Sequence, residues 1–172
     1  MRMAFLVTKE TPMNLNNKFG WRDIEGWFGY AQVYDTFVRE SGPNDILVEV
    51  GSWYGKSTCY LASRAKLSGK TSKIVAVDQF GEKVYRKFVE NITRAGVVDL
   101  FTIIQLSPHN AIQYFHDNSV FSVFVKDSKD IPMWYAKVKP GGFIGGHGKS
   151  DIKNAVHWPS DLPTWTARKP MA

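Results

Sequence analysis

The chain has 172 residues, of which 44% are hydrophobic and 14% aromatic, enough for one domain with a proper core, and no Pro/Gly/Ser-rich linker divides it. Its single cysteine, Cys59, excludes an internal disulfide and a cysteine-based metal site, and fits a reducing cytosol. The net charge of +6, from 22 basic against 16 acidic residues, is scattered without a basic stripe, RNP-type or zinc-knuckle pattern, so nucleic acid is compatible with the charge but not indicated.

Residues 1–20 read as an irregular N-terminal segment, polar through Met13-Asn14-Leu15-Asn16-Asn17-Lys18. The apolar run at 4–7 is too short for a signal-peptide core or a membrane span, so the expectation is a soluble, cytoplasmic, single-domain protein without a membrane partner. Ile24-Glu25-Gly26-Trp27-Phe28 then precedes a helix with Tyr30, Val33, Phe37 and Val38 on one face, stopped by Gly42-Pro43. Trp27 and Phe28 read as packing rather than as a ligand platform.

Residues 46–58 organise the chain: Ile-Leu-Val-Glu-Val-Gly-Ser-Trp-Tyr-Gly-Lys-Ser-Thr. A branched apolar run ends in a carboxylate, two glycines follow, and hydroxyl residues open a helical segment, which predicts a strand, a tight turn and a helix start. Gly51 and Gly55 clear space for backbone to approach a ligand, and the free N–H groups of the new helix point above the strand end. Glu49 supplies a charge to the same space, suited to a ligand with positive charge or hydroxyl donors. A Walker A loop fails in register because Val50 stands where its first glycine belongs, and a dinucleotide fingerprint fails because Trp53 replaces its second glycine. A strand–turn–helix without any ligand is the plain alternative.

A crossover helix over 57–66 leads to a second strand, Lys73–Asp78. Asp78 stands where a second strand end places a carboxylate against ribose hydroxyls, although a strand-ending Asp is also a common helix cap. A helix over 82–95 with Val84, Phe88, Val89, Ile92 and Ala95 buried, a strand Phe101–Gln105, and a Ser107-Pro108-His109 turn into a short helix follow. The fourth strand is Val120–Val125, and a charged turn runs from Lys126 to Asp130. The connection around Met133-Trp134-Tyr135 looks too short for a full crossover helix. Val-Lys-Pro-Gly-Gly-Phe-Ile-Gly-Gly-His at 138–147 reads as a tight turn into a fifth strand, and 159–172 as a C-terminal strand or tail. Alternating elements predict an α/β fold: a Rossmann-like, doubly wound, mostly parallel sheet with helices on both faces. Glu49, Asp78, Ser107, Asp127 and His147 then all fall at the carboxyl ends of strands, where ligands bind.

Together the segments 49–58, 75–78, the Ser107 turn and 138–147 resemble the successive motifs of class I S-adenosylmethionine-dependent methyltransferases, in a small single-domain subgroup with an Ile-x-Gly-Trp-Phe segment leading into the first helix. The resemblance implies that the turn holding Glu49, Gly51, Ser52, Gly55, Ser57 and Thr58 receives the methionine part of the cofactor. It implies Asp78, with Gln79, at the ribose and Ser107 near the adenine. A branched residue at Gly51 or Gly55 is then expected to block the cofactor while sparing the fold.

The chain also departs from that subgroup. Val125-Lys126-Asp127-Ser128-Lys129-Asp130 replaces an Ile-Asp-Gly-x-His-like segment, Gly148 stands where an acid is usual, and Leu106 replaces an acid in the adenine turn, so no metal is expected. Methyl transfer to a hydroxyl needs alignment and a base. Asp127 and His147 are the candidates; a turn residue and a hydrogen-bonded strand-end histidine are their plain readings, while His109 and His157 read as surface or capping residues. The expected function is methyl transfer to a small-molecule or sugar-like acceptor. The alternatives are a cofactor-binding protein without transfer activity and, less favoured, a P-loop phosphotransferase.

Overall fold

Branched apolar runs bounded by turns extend into strands, and amphipathic runs between them coil against the resulting sheet. The computed structural model describes residues 19–148, 150–158 and 163–171, so nearly all of the irregular segment expected at 1–20 lies outside the described residues. The helices are α1 (Ala31–Glu40), α2 (Lys56–Leu67), α3 (Glu82–Arg94), α4 (Pro108–Ala111) and α5 (Ile131–Lys137). The strands are β1 (Ile46–Val50), β2 (Lys73–Asp78), β3 (Phe101–Gln105), β4 (Val120–Val125), β5 (Val138–His147), β6 (Val156–Trp158) and β7 (Thr164–Arg168).

The sheet order is β3-β2-β1-β4-β5-β7-β6. The first five strands are parallel, and β7 and β6 close the sheet antiparallel. Chain direction across the sheet reverses between β1 and β4, which creates the switch point where α/β sheets bind ligands. Two cores follow from the period of two along each strand. Leu47, Ile74, Ala76, Phe124 and Phe143 face the layer containing Val33, Phe37, Leu61 and Phe88. Val48, Val50, Val75, Val77, Val123 and Ile144 face Ala111, Phe115 and Trp134. Each fully buried Val, Leu, Ile or Phe side chain among these contributes about 1.5–3 kcal/mol.

Ile24 to Phe28 precedes a helix as expected, following a short 3-10 turn at Trp21–Asp23 and leading to Tyr30, the N-cap of α1. One local expectation is corrected: the Lys-Pro-Gly-Gly stretch is not a turn, because β5 is continuous from Val138 to His147 with a register slip opposite Val120 and Ser122. A Cβ at Gly142 would stand 2.4 Å from the Phe121 carbonyl oxygen, so glycine there permits the strands to close at the slip. The short connection expected after β4 is a seven-residue α5.

Candidate active site

Strand parity builds the site. Glu49 continues the Leu47 row of β1, Asp78 the Ala76 row of β2, Lys126 the Phe124 row of β4, and His147 the Phe143 row of β5. Register sets Glu49 beside Ala76 and Phe124, and Phe124 beside Gly145. Four ionisable residues from four adjacent strands thus line one face at their carboxyl ends, across the switch point.

Glu49 does not face open ligand space. It is fully buried, and its Oε1 accepts from the Tyr34 hydroxyl and from Ser57 Oγ, both at 2.5 Å, while Oε2 accepts from Thr58 Oγ1. Three hydroxyls from α1 and α2 replace the water that a carboxylate loses on burial. The charge that does face the site is Lys126. Its Nζ lies 3.8 Å from Glu49 Oε1 and 3.5 Å from Ser57 Oγ, and its side chain is 31% exposed. Burial works against its charge, but the Tyr30 hydroxyl, Glu49 and Asp78 outweigh that and push its pKa upward. Lys126 was read from sequence only as part of a charged turn; extending the alternation of β4 by one residue would have placed it in the row.

The glycine turn has two unlike glycines. Gly51 has φ +93, and a Cβ there would meet the Lys126 side chain at 3.2–3.4 Å. Gly55 has φ +86, but a Cβ there would lie 2.9 Å from the Phe88 ring in the core. Gly55 therefore serves the packing of α2 on α3, and a branched side chain at this position would not spare the fold. Between them Ser52 is 2% exposed, and its Oγ has no hydrogen-bond partner among the described residues. Trp53 takes the left-handed conformation at φ 46, which costs a non-glycine residue about 1–2 kcal/mol.

Asp78 holds that strained turn. Its Oδ2 accepts from the Trp53 N–H and its Oδ1 from the Phe80 N–H, each at 2.9 Å. Gln79 is exposed beside it. Ser107 caps α4, its Oγ accepting from the Asn110 N–H at 3.3 Å. Asp78, Gln79 and Ser107 thus stand at the carboxyl ends of the neighbouring strands β2 and β3, in different turns.

The two candidate bases differ. Asp127 is exposed, accepts from the Lys129 N–H and pairs with Lys129 Nζ at 2.8 Å, bonds that hold its carboxyl below the usual range. His147 sits among aromatic rings, with Tyr30 at 4.9 Å, Phe124 at 5.1 Å and Trp27 at 5.9 Å between centroids. Burial first, and then the Lys126 charge, push its pKa down to about 4 against the opposing pull of Glu49. Its Nδ1 is buried without a partner among the described residues, so the hydrogen-bonded reading of this histidine is not what the geometry gives. Trp27 packs on Tyr30 and His147 from outside, 45% exposed, in the manner of a lid, and Trp53, 43% exposed, lies over Gly26. Phe28 does pack, against Trp21, Tyr30, Tyr34 and Tyr60.

His109 and His157 are exposed and apart from the row. Cys59 is buried and free, its thiol pushed up to about 12 by burial and then by Glu49, which leaves it unreactive. Among the described residues no three His, Cys, Asp or Glu side chains come together as metal ligands. No helix among them is long and apolar enough to cross a membrane.

The sequence model of a family described as a methyltransferase domain matches residues 48–148, more than half of the chain and the run from the middle of β1 to just past the end of β5. The chain belongs to this family of class I methyltransferases. Among solved structures, a SAM-dependent O-methyltransferase from Thermotoga maritima is similar at 15% identity and a TM-score of 0.62, over 86% of this chain and 68% of that one. A protein from Corynebacterium glutamicum is similar at 11% identity and 0.64, over 87% and 84%. An RNA methyltransferase from Salinibacter ruber, in complex with S-adenosyl-L-homocysteine, is similar at 19% identity and 0.54, over 81% and 85%. These likenesses establish the fold. No curated protein matches the sequence.

Proposed function

We propose that the protein transfers a methyl group from S-adenosylmethionine to a small-molecule acceptor in the cytoplasm. The observation that carries this is the row Asp78, Glu49, Lys126 and His147 across the switch point, beside a glycine turn whose Ser52 hydroxyl is buried and has no partner among the described residues. The residues fit a cofactor with a polar amino-acid end and a ribose: Gly51 and Ser52 would take the former, Asp78 and Gln79 the latter, and Ser107 would stand toward the base. When bound, the cofactor supplies an electrophilic methyl group on a sulfonium. The chain's own contribution is alignment and proton removal.

His147 is unprotonated at neutral pH, and its aromatic surroundings exclude water from one side of the ring. A base this weak suits an acceptor whose hydroxyl is itself acidic, such as a phenol or enol, better than a sugar alcohol. Asp127 is already committed to Lys129, which favours His147 of the two. The basic residues form no stripe, which supports a small acceptor over RNA.

Calorimetry with S-adenosylmethionine and, separately, with ATP and magnesium tests the cofactor. Binding of S-adenosylmethionine alone is the expected result, and binding of ATP alone would remove this reading. A second reading, a cofactor-binding protein without transfer activity, is favoured by the engagement of Asp127 with Lys129. It predicts the same calorimetry with no transfer of labelled methyl to any phenolic or enolic acceptor.

A further inference from the structure

The Lys126 ammonium has three hydrogens to donate and, among the described residues, meets the Tyr30 hydroxyl and otherwise only distant acceptors. Ser57 Oγ is 3.5 Å away and gives its own proton to Glu49, and Glu49 Oε1, at 3.8 Å, already accepts two hydroxyl hydrogen bonds. A charged donor normally closes to about 2.7–2.9 Å on an anionic acceptor, so at 3.8 Å from Glu49 the cation has no anion in contact and hydrogens left to donate. Its methylene stem lies against Gly51, where a Cβ would meet Cδ at 3.2 Å, and the next residue is Ser52, whose hydroxyl is buried. A cation with hydrogens to spare and a hydroxyl without a partner among the described residues therefore flank one glycine. Glu49 cannot turn to meet a ligand, because Tyr34, Ser57 and Thr58 hold both its oxygens. The site consequently presents a cation, where the sequence alone suggested an anion.

We propose that Lys126 is a specificity-determining residue that receives a carboxylate of the bound ligand, which on the cofactor reading above is the α-carboxylate at the amino-acid end. The buried Glu49 serves as the fixed counter-charge that keeps the ammonium at the turn, and Ser52 completes the carboxylate's hydrogen bonds. Because the inference rests on that reading, its test compares two ligands on the same protein.

S-adenosylhomocysteine and its α-carboxamide, which differ only in the charge of that end group, are titrated calorimetrically into wild type, Lys126→Met and Lys126→Arg. Wild type should prefer the acid at least tenfold, Lys126→Met should lose that preference, and Lys126→Arg should keep most of it. A merely structural lysine would change affinity for both ligands equally and leave their ratio intact, which would overturn the proposal. Lys126→Gln, polar and of similar reach, gives the same discrimination if the methionine variant melts early. An unchanged acid-to-amide ratio in any folded, uncharged variant is equally fatal. Failure of wild type to bind either ligand would overturn the cofactor reading itself and this inference with it.

Discussion

At Asp78 each carboxylate oxygen accepts one backbone N–H, from Trp53 and from Phe80, so the residue fastens two turns at once. Asp78→Ala should release both, at roughly 1.5–3 kcal/mol for each charge-assisted bond, and lower the melting temperature as well as cofactor affinity. Asparagine ordinarily caps as well as aspartate, yet here one of its two end groups would be an NH2 facing a backbone N–H. Asp78→Asn is thus expected to melt nearly as early as Asp78→Ala; a wild-type melt would show that the two-sided clamp is dispensable. His147 gives a pH-dependent expectation. Its native pKa of about 4 lies below the ordinary value near 6.5, so between these pH values the unfolded chain binds a proton that the native chain does not. Stability contributed by the neutral ring is intact above about pH 6.5 and is lost as pH falls toward 4. Discounted for partial exposure, the swing is on the order of 2 kcal/mol. Denaturation of wild type and His147→Asn across that window checks it, since the difference between them should narrow as pH falls.

The turn between β1 and α2 shows what sequence could and could not reveal. Its strand, glycines and helix start were legible because each has a local cause: branched apolar residues, positive φ, and hydroxyls in the first helical turn. The direction in which each glycine would project a side chain was not, since that depends on α3 and on β4, distant in sequence. Gly55→Ala should cost about 2–4 kcal/mol, combining left-handed strain with overpacking against Phe88. Gly51→Ala carries the same left-handed strain, at φ +93, but meets only the Lys126 stem, so it should weaken S-adenosylhomocysteine binding at least tenfold with a smaller stability loss. Denaturant titration beside calorimetry separates the two, and equal destabilisation would show that Gly51 too is a packing position. The same reasoning explains why Lys126 was missed and Glu49 misjudged. Both lie on the side of the sheet that α1 and α2 cover, and only the strand register shows which of two neighbouring charges is buried and which faces outward.

Across the whole molecule, parallel topology and two-faced packing were readable from the alternation of elements, whereas the antiparallel closure by β7 and β6 was not, because Val156–Trp158 is only three residues long and carries little pattern. The row of charges occupies one side of the switch point, and aromatic rings from the segment before α1 and from the glycine turn stand over it. Four of the six tryptophans divide accordingly: Trp134 and Trp165 are wholly buried in the second core, Trp27 and Trp53 are exposed at the carboxyl ends of the strands, and Trp21 and Trp158 are half-buried between these extremes. The two outer pairs form separate optical reporters in one cuvette. Emission from the exposed pair should lie to longer wavelength and be open to acrylamide quenching, and a ligand settling on the turn should shield it. Emission from the buried pair should stay blue until the sheet unfolds, so occupancy and unfolding can be followed at two wavelengths on unlabelled protein, with Trp53→Phe removing much of the first signal and little of the second.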